Sequence, residues 1–505
     1  MGTDPVFRSG AKGKWGPSPF LSLFFLPFLA GAATVLAFEP AGVFPLALLT
    51  FAVLIHFSVA ASPRRAFISG YGFGLGMFGA GVSWIYVSMH TFGGMPPALA
   101  GLATLLFCAF LALFPAAAGW LQARIPAHPA LRACLLIPAA WVLLEWLRSW
   151  ILTGFPWLAA GYASVGWPLQ GYAPLLGVFG LSFLTLSLSG MAWLAFRGHR
   201  AALIPFVVLL AAGQGLRYVD WTQPAGEPVT AALLQGNVPQ DLKFRPERYA
   251  RTLETYAGLV EGSAARLIVL PETAIPRFYD GVEPAYLARL DAAAKRNRGD
   301  LLLGIPYRTA PGEYYNSVLT LGSSPRQAYH KVHLVPFGEF VPRGFGWVLR
   351  LVQIPLSDFS RGAADQKPLA VAGQRIAVNI CYEDVFGDAM ARWLPEATLL
   401  VNMSNVAWFG DSLAPAQHLQ IARLRAAETG RMHLAATNTG ITAAIDRDGR
   451  VLSRLPQFAE GRLEVTAQGY SGMTPYALYK DWPVVVISLL LLAFALIVAR
   501  RAASR

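Results

Sequence analysis

Two hydrophobic patterns divide the chain. Up to about residue 216, apolar residues run in long blocks at 19–38, 42–61, 67–89, 96–121, 132–150, 171–195 and 201–216, and an eighth block lies at 482–499. Blocks of this kind suit bilayer spans, which need roughly 20 apolar residues. Between 217 and 481 the runs are short. The stretches 229–234, 267–270, 301–305, 317–321, 376–380 and 399–401 read as buried strands, and 245–262, 282–297, 385–394 and 414–429 as helices between them. Such alternation predicts an α/β fold. The expected organisation is a tail at 1–18, a seven-helix membrane domain at 19–216, a globular domain at 217–481, and a last helix with its tail at 482–505.

Composition and charge sharpen that division. Hydrophobic residues make up 55% of the 505 positions and mean hydropathy is +0.44, above the usual range of a soluble domain. A net charge of +12 would suit nucleic acid, but its distribution points to membrane orientation. Before Asp220 the acidic residues are Asp4, Glu39 and Glu145 alone. The basic residues gather at alternate block ends: Arg8, Lys12 and Lys14; Arg64 and Arg65; Arg124 and Arg132; Arg197 and Arg200; Arg500, Arg501 and Arg505. If eight spans alternate, all of these fall on one side, and the positive-inside rule makes it the cytoplasm. The 217–481 domain then lies outside. The first block resembles a signal peptide, but its length and the spans after it predict an uncleaved helix.

Within the third block, Gly74-Leu75-Gly76-Met77-Phe78-Gly79 matches a dinucleotide fingerprint. No strand precedes it, so close helix packing through small residues is the better account. Glu145 and Arg148 lie three apart in the fifth block, neighbours on one helix face. They read either as an ion pair pinning that span or as a contact for a lipid head group.

The chemistry centres on Cys381, which follows the 376–380 strand and is the one cysteine outside the apolar blocks that hold Cys108 and Cys134. Only a few per cent of an ordinary thiol is ionised near neutrality. A lysine ammonium would favour the thiolate and then hold an oxyanion, and a carboxylate would carry the proton. Glu272, past the 267–270 strand, suits the base. Lys331 suits the electrostatic partner, with Glu339 to orient it. Glu383, two residues past Cys381, would share its face if the strand continued. The bland alternatives are a core cysteine, a strand-end cap and a solvated lysine. His330 and His333 fall on different faces of a strand and read as structural. No further ligand cluster accompanies them, so neither a metal nor a cofactor is expected.

Taken together, the motifs resemble the nitrilase superfamily, whose members use a Glu-Lys-Cys triad in an α-β-β-α sandwich. Along nearly the whole chain the resemblance is to its membrane branch, the apolipoprotein N-acyltransferase family. It rests on Glu145 to Arg148 with Leu152-Thr153-Gly154-Phe155-Pro156-Trp157, Gln235-Gly236-Asn237-Val238-Pro239-Gln240, Pro271-Glu272-Thr273, His333 to Glu339, Cys381-Tyr382-Glu383, Asn402-Met403-Ser404-Asn405 and Trp408-Phe409-Gly410.

The resemblance implies a sandwich domain inserted in an eight-helix bundle of the bacterial inner membrane, on the periplasmic side. It implies a thioester on Cys381, loaded from a phospholipid such as phosphatidylethanolamine. The acyl chain then passes to the α-amino group of a diacylglyceryl-cysteine at an apolipoprotein N-terminus. The oxyanion is met by Lys331 and the Tyr382 N–H. Phe244 stands after Lys243 where the family often has Trp, which implies an altered lipid contact. The run 340–356 and the Trp408–Phe409 loop read as lids dipping into the bilayer or as packing over the site. A tethered small-amide hydrolase would need one anchor rather than seven preceding spans. A transporter would need more mid-membrane charge than His56 and Glu145 supply.

Overall fold

The computed structural model describes residues 19–342, 344, 346 and 358–504. The expected tail at 1–18 and nearly all of the 340–356 run, with Phe345, Trp347, Leu349, Leu351 and Ile354, lie outside the described residues.

Every apolar block that predicted a span contains a helix, but the helices differ in reach. Among the described residues, Pro97–Ala123, Pro129–Arg148, Pro168–Phe196 and Trp482–Ala503 are long and apolar enough to cross a membrane. Pro63–Gly81 with Trp84–Phe92 makes a fifth if the pair is one span, bent by 48° at its break. Ser22–Ala37, Phe44–Ser58 and Arg200–Leu216 are shorter apolar helices. Of the eight expected spans, four, or five with the bent pair, thus have the length and hydropathy of a full crossing among the described residues. Hydropathy runs on through helix ends: the first helix stops at Thr34 and its last apolar residues form a 3-10 turn, Val35–Ala37.

The third block packs as its glycines predict. A Cβ on Gly72 would sit 2.6 Å from the Phe24 carbonyl oxygen, one on Gly76 2.0 Å from that of Phe28, and one on Gly70 2.4 Å from that of Pro115. The helix is thus wedged between Pro19–Thr34 and Pro97–Ala123, backbone against backbone.

The globular part is a four-layer sandwich. One six-stranded sheet runs in the order Gly461–Ala467, Val229–Gln235, Leu267–Val269, Asp300–Ala310, Glu313–Gly322, Ala328–His330. The other runs Val451–Arg454, Ala443–Ile445, His433–Thr437, Leu399–Ser404, Gln374–Ile380, Leu369–Val371. Alternate residues explain the layers, because successive side chains leave opposite faces of a strand. Ala231, Leu233, Val269 and Leu302 meet Ile376, Val378, Val401 and Leu434 between the sheets. Their neighbours Ala232, Leu234, Ile268 and Leu301 pack outward against the helices Pro246–Glu261 and Pro284–Arg296. The expected strands are present, and the second half of the domain holds four more between 433 and 467 that the hydrophobic pattern did not predict.

Helix Ala414–Thr429 covers the other sheet and is buried on almost every side. Its Ile421, Leu424 and Ala427 join the hydrophobic core of the membrane helices. Its polar residues are met by protein rather than water. Gln417 Oε1 accepts from the indole N–H groups of Trp84 and Trp157, and Arg423 pairs with Glu39 at 2.9 Å. This helix fixes the globular part to the membrane part.

The glycine packing yields a prediction. Gly76→Ala should cost about 1–3 kcal/mol through overpacking, whereas Gly79, whose added Cβ meets nothing within 4 Å, should accept Ala without loss. Thermal unfolding of the two variants in detergent checks this, and equal melting temperatures would contradict the packing assignment.

Candidate active site

Three strand ends deliver the expected triad to one place. Glu272 follows Leu267–Val269, Lys331 follows Ala328–His330, and Cys381 follows Gln374–Ile380. Lys331 Nζ lies 2.8 Å from Glu339 Oε1 and 3.4 Å from Glu272 Oε1, with the lysine 1% exposed. Cys381 is half-buried as a residue, and its thiol lies within the fields of Glu272, Lys331 and Glu339.

Two residues that the sequence left without a role complete the cage. Asn316 Nδ2 donates to Glu272 Oε1 at 2.7 Å and to Glu339 Oε1 at 2.8 Å, bridging the two carboxylates that flank the lysine. The Asn405 N–H donates to Glu272 Oε2 at 2.8 Å. A third, Lys243, is buried with its Nζ 3.3 Å from the Glu272 carbonyl oxygen. Mid-strand position hid Asn316. Its strand register, opposite Pro306 and two residues from the Tyr314 pair of Arg308, is visible only once the hairpin is formed.

Charge in this cage is set by burial against pairing. Burial acts to raise the Glu272 carboxyl, but Lys331, the Asn316 amide and Lys243 outweigh it and hold the group below the ordinary carboxylate range. Burial also disfavours the Lys331 ammonium, yet Glu339 and Glu272 hold it above the ordinary lysine range. Lys243 lacks so close a carboxylate, and burial pushes it down to about 8. Burial and then the Glu272 charge raise the Cys381 thiol, with Lys331 acting in the opposite direction. The expected resting thiolate is therefore replaced by a neutral thiol beside an ionised carboxylate. A thiol and a carboxylate so charged are chemically able to pass a proton from one to the other.

Glu383 departs from expectation. The strand does not continue: Cys381 has φ +54° and opens a 3-10 turn, Cys381–Val385. That turn swings Glu383 away from the thiol's face. Its carboxylate accepts from the N–H groups of Ile380, Val332 and His333 at 2.8, 2.8 and 3.0 Å, and from the Tyr329 hydroxyl at 2.9 Å. Glu383 thus ties the cysteine turn to the segment just after Lys331. Tyr382 reaches the membrane part, its hydroxyl donating to the Gly154 carbonyl at 2.9 Å and its ring lying 6.5 Å from Phe155. His333 stacks on Phe386 with centroids 3.6 Å apart, and His330 Nδ1 lies 2.7 Å from the Ser317 hydroxyl.

The residues expected at lipid fare differently. Glu145 and Arg148 are each 3% exposed and 3.9 Å apart. Glu145 accepts from Trp141 Nε1 and the Ala160 N–H, and Arg148 donates to the carbonyls of Phe155 and Trp157. These contacts hold the 155–160 loop against the helix and are those of the ion-pair alternative. Trp408 is half-buried and its ring lies 6.4 Å from Phe92, while the neighbouring Phe409 lies 4.5 Å from Trp84. The 408–409 loop thus rests on the bent helix pair. Phe244 is half-buried beside Lys243.

Comparison with known proteins adds a lineage to this geometry. The model of the apolipoprotein N-acyltransferase N-terminal domain matches residues 30–191, and that of the carbon-nitrogen hydrolases matches 230–474. An apolipoprotein N-acyltransferase of Nitrosomonas europaea is 50% identical over 93% of this chain and 96% of its own. One of Methylococcus capsulatus is 46% identical over 92% of this chain and 94% of its own. Among solved structures, a carbon-nitrogen hydrolase of Helicobacter pylori G27 is 17% identical, covers 52% of this chain and 95% of its own, and superposes with a TM-score of 0.36. With a membrane half and a nitrilase-like half both matched, and identity sustained across almost the full length, the chain belongs to the apolipoprotein N-acyltransferase family, acyltransferases of the nitrilase superfamily.

Proposed function

We propose that this protein moves a fatty acyl chain from a phospholipid, phosphatidylethanolamine being the expected donor, through a thioester on Cys381 to the α-amino group of the N-terminal diacylglyceryl-cysteine of apolipoproteins. The observation that carries this reading is the cage itself: a cysteine, a low-lying carboxylate and a doubly paired ammonium meet at one end of the sandwich, where Tyr382 touches the membrane part. A cysteine whose neighbour Tyr382 bonds to the membrane part is placed for substrates that are themselves amphiphiles.

The steps follow from the charges. Glu272 takes the Cys381 proton as the sulfur attacks the ester carbonyl carbon. The oxyanion so formed is met by Lys331 and the Tyr382 N–H. The C–O bond breaks, Glu272 returns its proton to the departing lysophospholipid hydroxyl, and the thioester remains. The neutral amine then attacks the same carbon, its proton passes through Glu272 to the sulfur, and the C–S bond breaks to leave the amide. Glu339 and Asn316 hold Lys331 and Glu272 in register. The eight apolar helices serve as spans that put both termini in the cytoplasm and the 217–481 domain on the periplasmic face of the inner membrane. Phe244 and the Trp408 loop contribute apolar contact to the acyl chains.

Incubating the purified protein with labelled phospholipid should give a hydroxylamine-sensitive acyl adduct that is absent from Cys381→Ala. Label persisting in that variant would remove the nucleophile from the scheme. Lys331→Met should slow adduct formation at least about a hundredfold, the scale of losing an oxyanion partner. A normal rate would exclude Lys331 from the site.

The lowered Glu272 sets a pH dependence. Its base form is present above its folded pKa, so acylation is lost only as pH falls through that depressed value. The same shift makes ionised Glu272 a stabilising group above the ordinary carboxylate range, a contribution lost as pH falls through the folded value. Asn316→Ala removes a hydrogen bond to the carboxylate and should move the acid limb of the acylation profile to higher pH, with roughly a tenfold loss of rate near neutrality. An unmoved acid limb would show that Asn316 does not tune the base.

A further inference from the structure

Asn402, in the Asn402–Asn405 stretch, has no part in the scheme above. Asn402 is fully buried on strand Leu399–Ser404, paired in register with Asn379 on the parallel strand that ends at the nucleophile. Its Nδ2 donates to the Cys381 carbonyl oxygen at 3.1 Å and to Oδ1 of Asn379, while its own Oδ1 accepts the Ser404 hydroxyl. With the oxygen committed to Ser404, the nitrogen is the end that faces the carbonyl. The network continues inward. Asn379 Nδ2 donates to Asp384 Oδ1 at 3.2 Å, and His433 Nε2 lies 3.0 Å from the same oxygen. His418 also lies against the Cys381 carbonyl, with its Nε2 3.7 Å from Asp384 Oδ2. Asn402 thus connects a buried polar network to one backbone oxygen, that of the nucleophile.

Geometry gives that oxygen a consequence. Cys381 has φ +54°, a left-handed conformation that costs a non-glycine residue roughly 1–2 kcal/mol and persists only when its surroundings hold it. The peptide unit is planar and trans, so a carbonyl and the N–H of the next residue point in opposite directions. Whatever fixes the Cys381 carbonyl therefore fixes the direction of the Tyr382 N–H.

We propose that Asn402 is a positioning residue for acyl transfer. By holding the Cys381 carbonyl, it aims the Tyr382 N–H at the oxyanion of the tetrahedral intermediate. The inference deepens the acyl-transfer reading and rests on it. The plain alternative is that Asn402 only satisfies buried polar groups, in which case its loss would loosen the whole turn rather than one amide.

Three measurements on the full-length purified protein separate these. The first is the single-turnover rate of the hydroxylamine-sensitive adduct from labelled phospholipid. The second is the rate at which iodoacetamide alkylates Cys381, read by mass spectrometry; that displacement forms no oxyanion. The third is the carbonyl stretching frequency of the trapped acyl-enzyme. Asn402→Leu, of similar size but without a donor, should acylate about a hundredfold more slowly, as for loss of an oxyanion-hole donor. It should alkylate at the wild-type rate and show its thioester carbonyl at higher frequency. Asn402→Thr, which keeps a donor, should recover part of the loss. Wild-type acylation in Asn402→Leu, alkylation falling in step with acylation, or an unmoved carbonyl frequency would each overturn the proposal while leaving Cys381 as nucleophile. A wild-type protein that forms no adduct overturns the acyl-transfer reading and this inference with it.

Discussion

A buried ammonium held between two carboxylates is the constraint from which the site follows. Removing a lysine from water costs several kcal/mol unless partners replace its hydration. Lys331 has two, Glu339 at 2.8 Å and Glu272 at 3.4 Å. Their roles differ because their surroundings differ. Glu339 Oε2 accepts from the Val335 N–H four residues earlier, closing the loop on which it sits. Glu272 lies nearer Lys243 and the thiol, so its charge has work beyond pairing. Asn316 spans both carboxylates and keeps the lysine from drifting to either. With the cation fixed, Glu272 stays ionised at a buried position where an unpaired carboxylate would take up a proton. On the proposed scheme a neutral cysteine then needs no depressed pKa of its own, because Glu272 stands ready to take its proton.

The same logic of buried polar groups meeting protein partners joins the two halves. Helix Ala414–Thr429 is polar in composition yet buried nearly throughout. It would be unstable there if its side chains lacked partners. Arg425 pairs with Glu428 at 3.0 Å, Glu428 accepts the Val178 N–H at 2.8 Å, and Gln420 Nε2 donates to the Tyr162 carbonyl at 2.9 Å. The last two contacts land on the break at Gly177 and on the Ala160–Ser164 turn, where backbone groups of the membrane part are free to bond. The catalytic half is therefore docked by hydrogen bonds with one geometry as well as by apolar contact, and the Tyr382 to Gly154 bond extends the seam to the site.

How much of this the sequence disclosed depends on the kind of signal. The meeting of Glu272, Lys331 and Cys381 was legible because each stands at a strand end beside a distinctive motif, and strand ends are where α/β folds place chemistry. The division into apolar and globular halves was legible from the hydrophobic pattern, with the placing of the charges in support. The late strands were not, because His433–Thr437 and Ala443–Ile445 are rich in alanine, a poor strand former, and owe their conformation to neighbouring strands. The docking helix showed no apolar stripe because both of its faces are covered. Glu383 was misplaced by assuming a straight strand where the backbone turns at Cys381. Glu145 and Arg148 stayed open between an ion pair and a head-group contact, since only the fold brings the 155–160 loop back onto them.

The turn at Cys381 shows why this strain persists. A relaxed, extended Cys381 would carry the chain onward along the strand and would turn the following residues to the other face. The left-handed residue instead reverses the path at once, so that the Glu383 carboxylate can reach back to the Ile380 N–H while the thiol stays beside Glu272. The cost of roughly 1–2 kcal/mol for such a residue is offset by the four donors on Glu383 and by Asn402 on the Cys381 carbonyl, each hydrogen bond to a charged group contributing about 1.5–3 kcal/mol. Those partners sit on three separate elements: the end of the Ala328–His330 strand and the turn after it, the Gln374–Ile380 strand, and the Leu399–Ser404 strand. The conformation is consequently a property of the assembled sandwich, and no local peptide carrying Cys381-Tyr382-Glu383 would hold it alone.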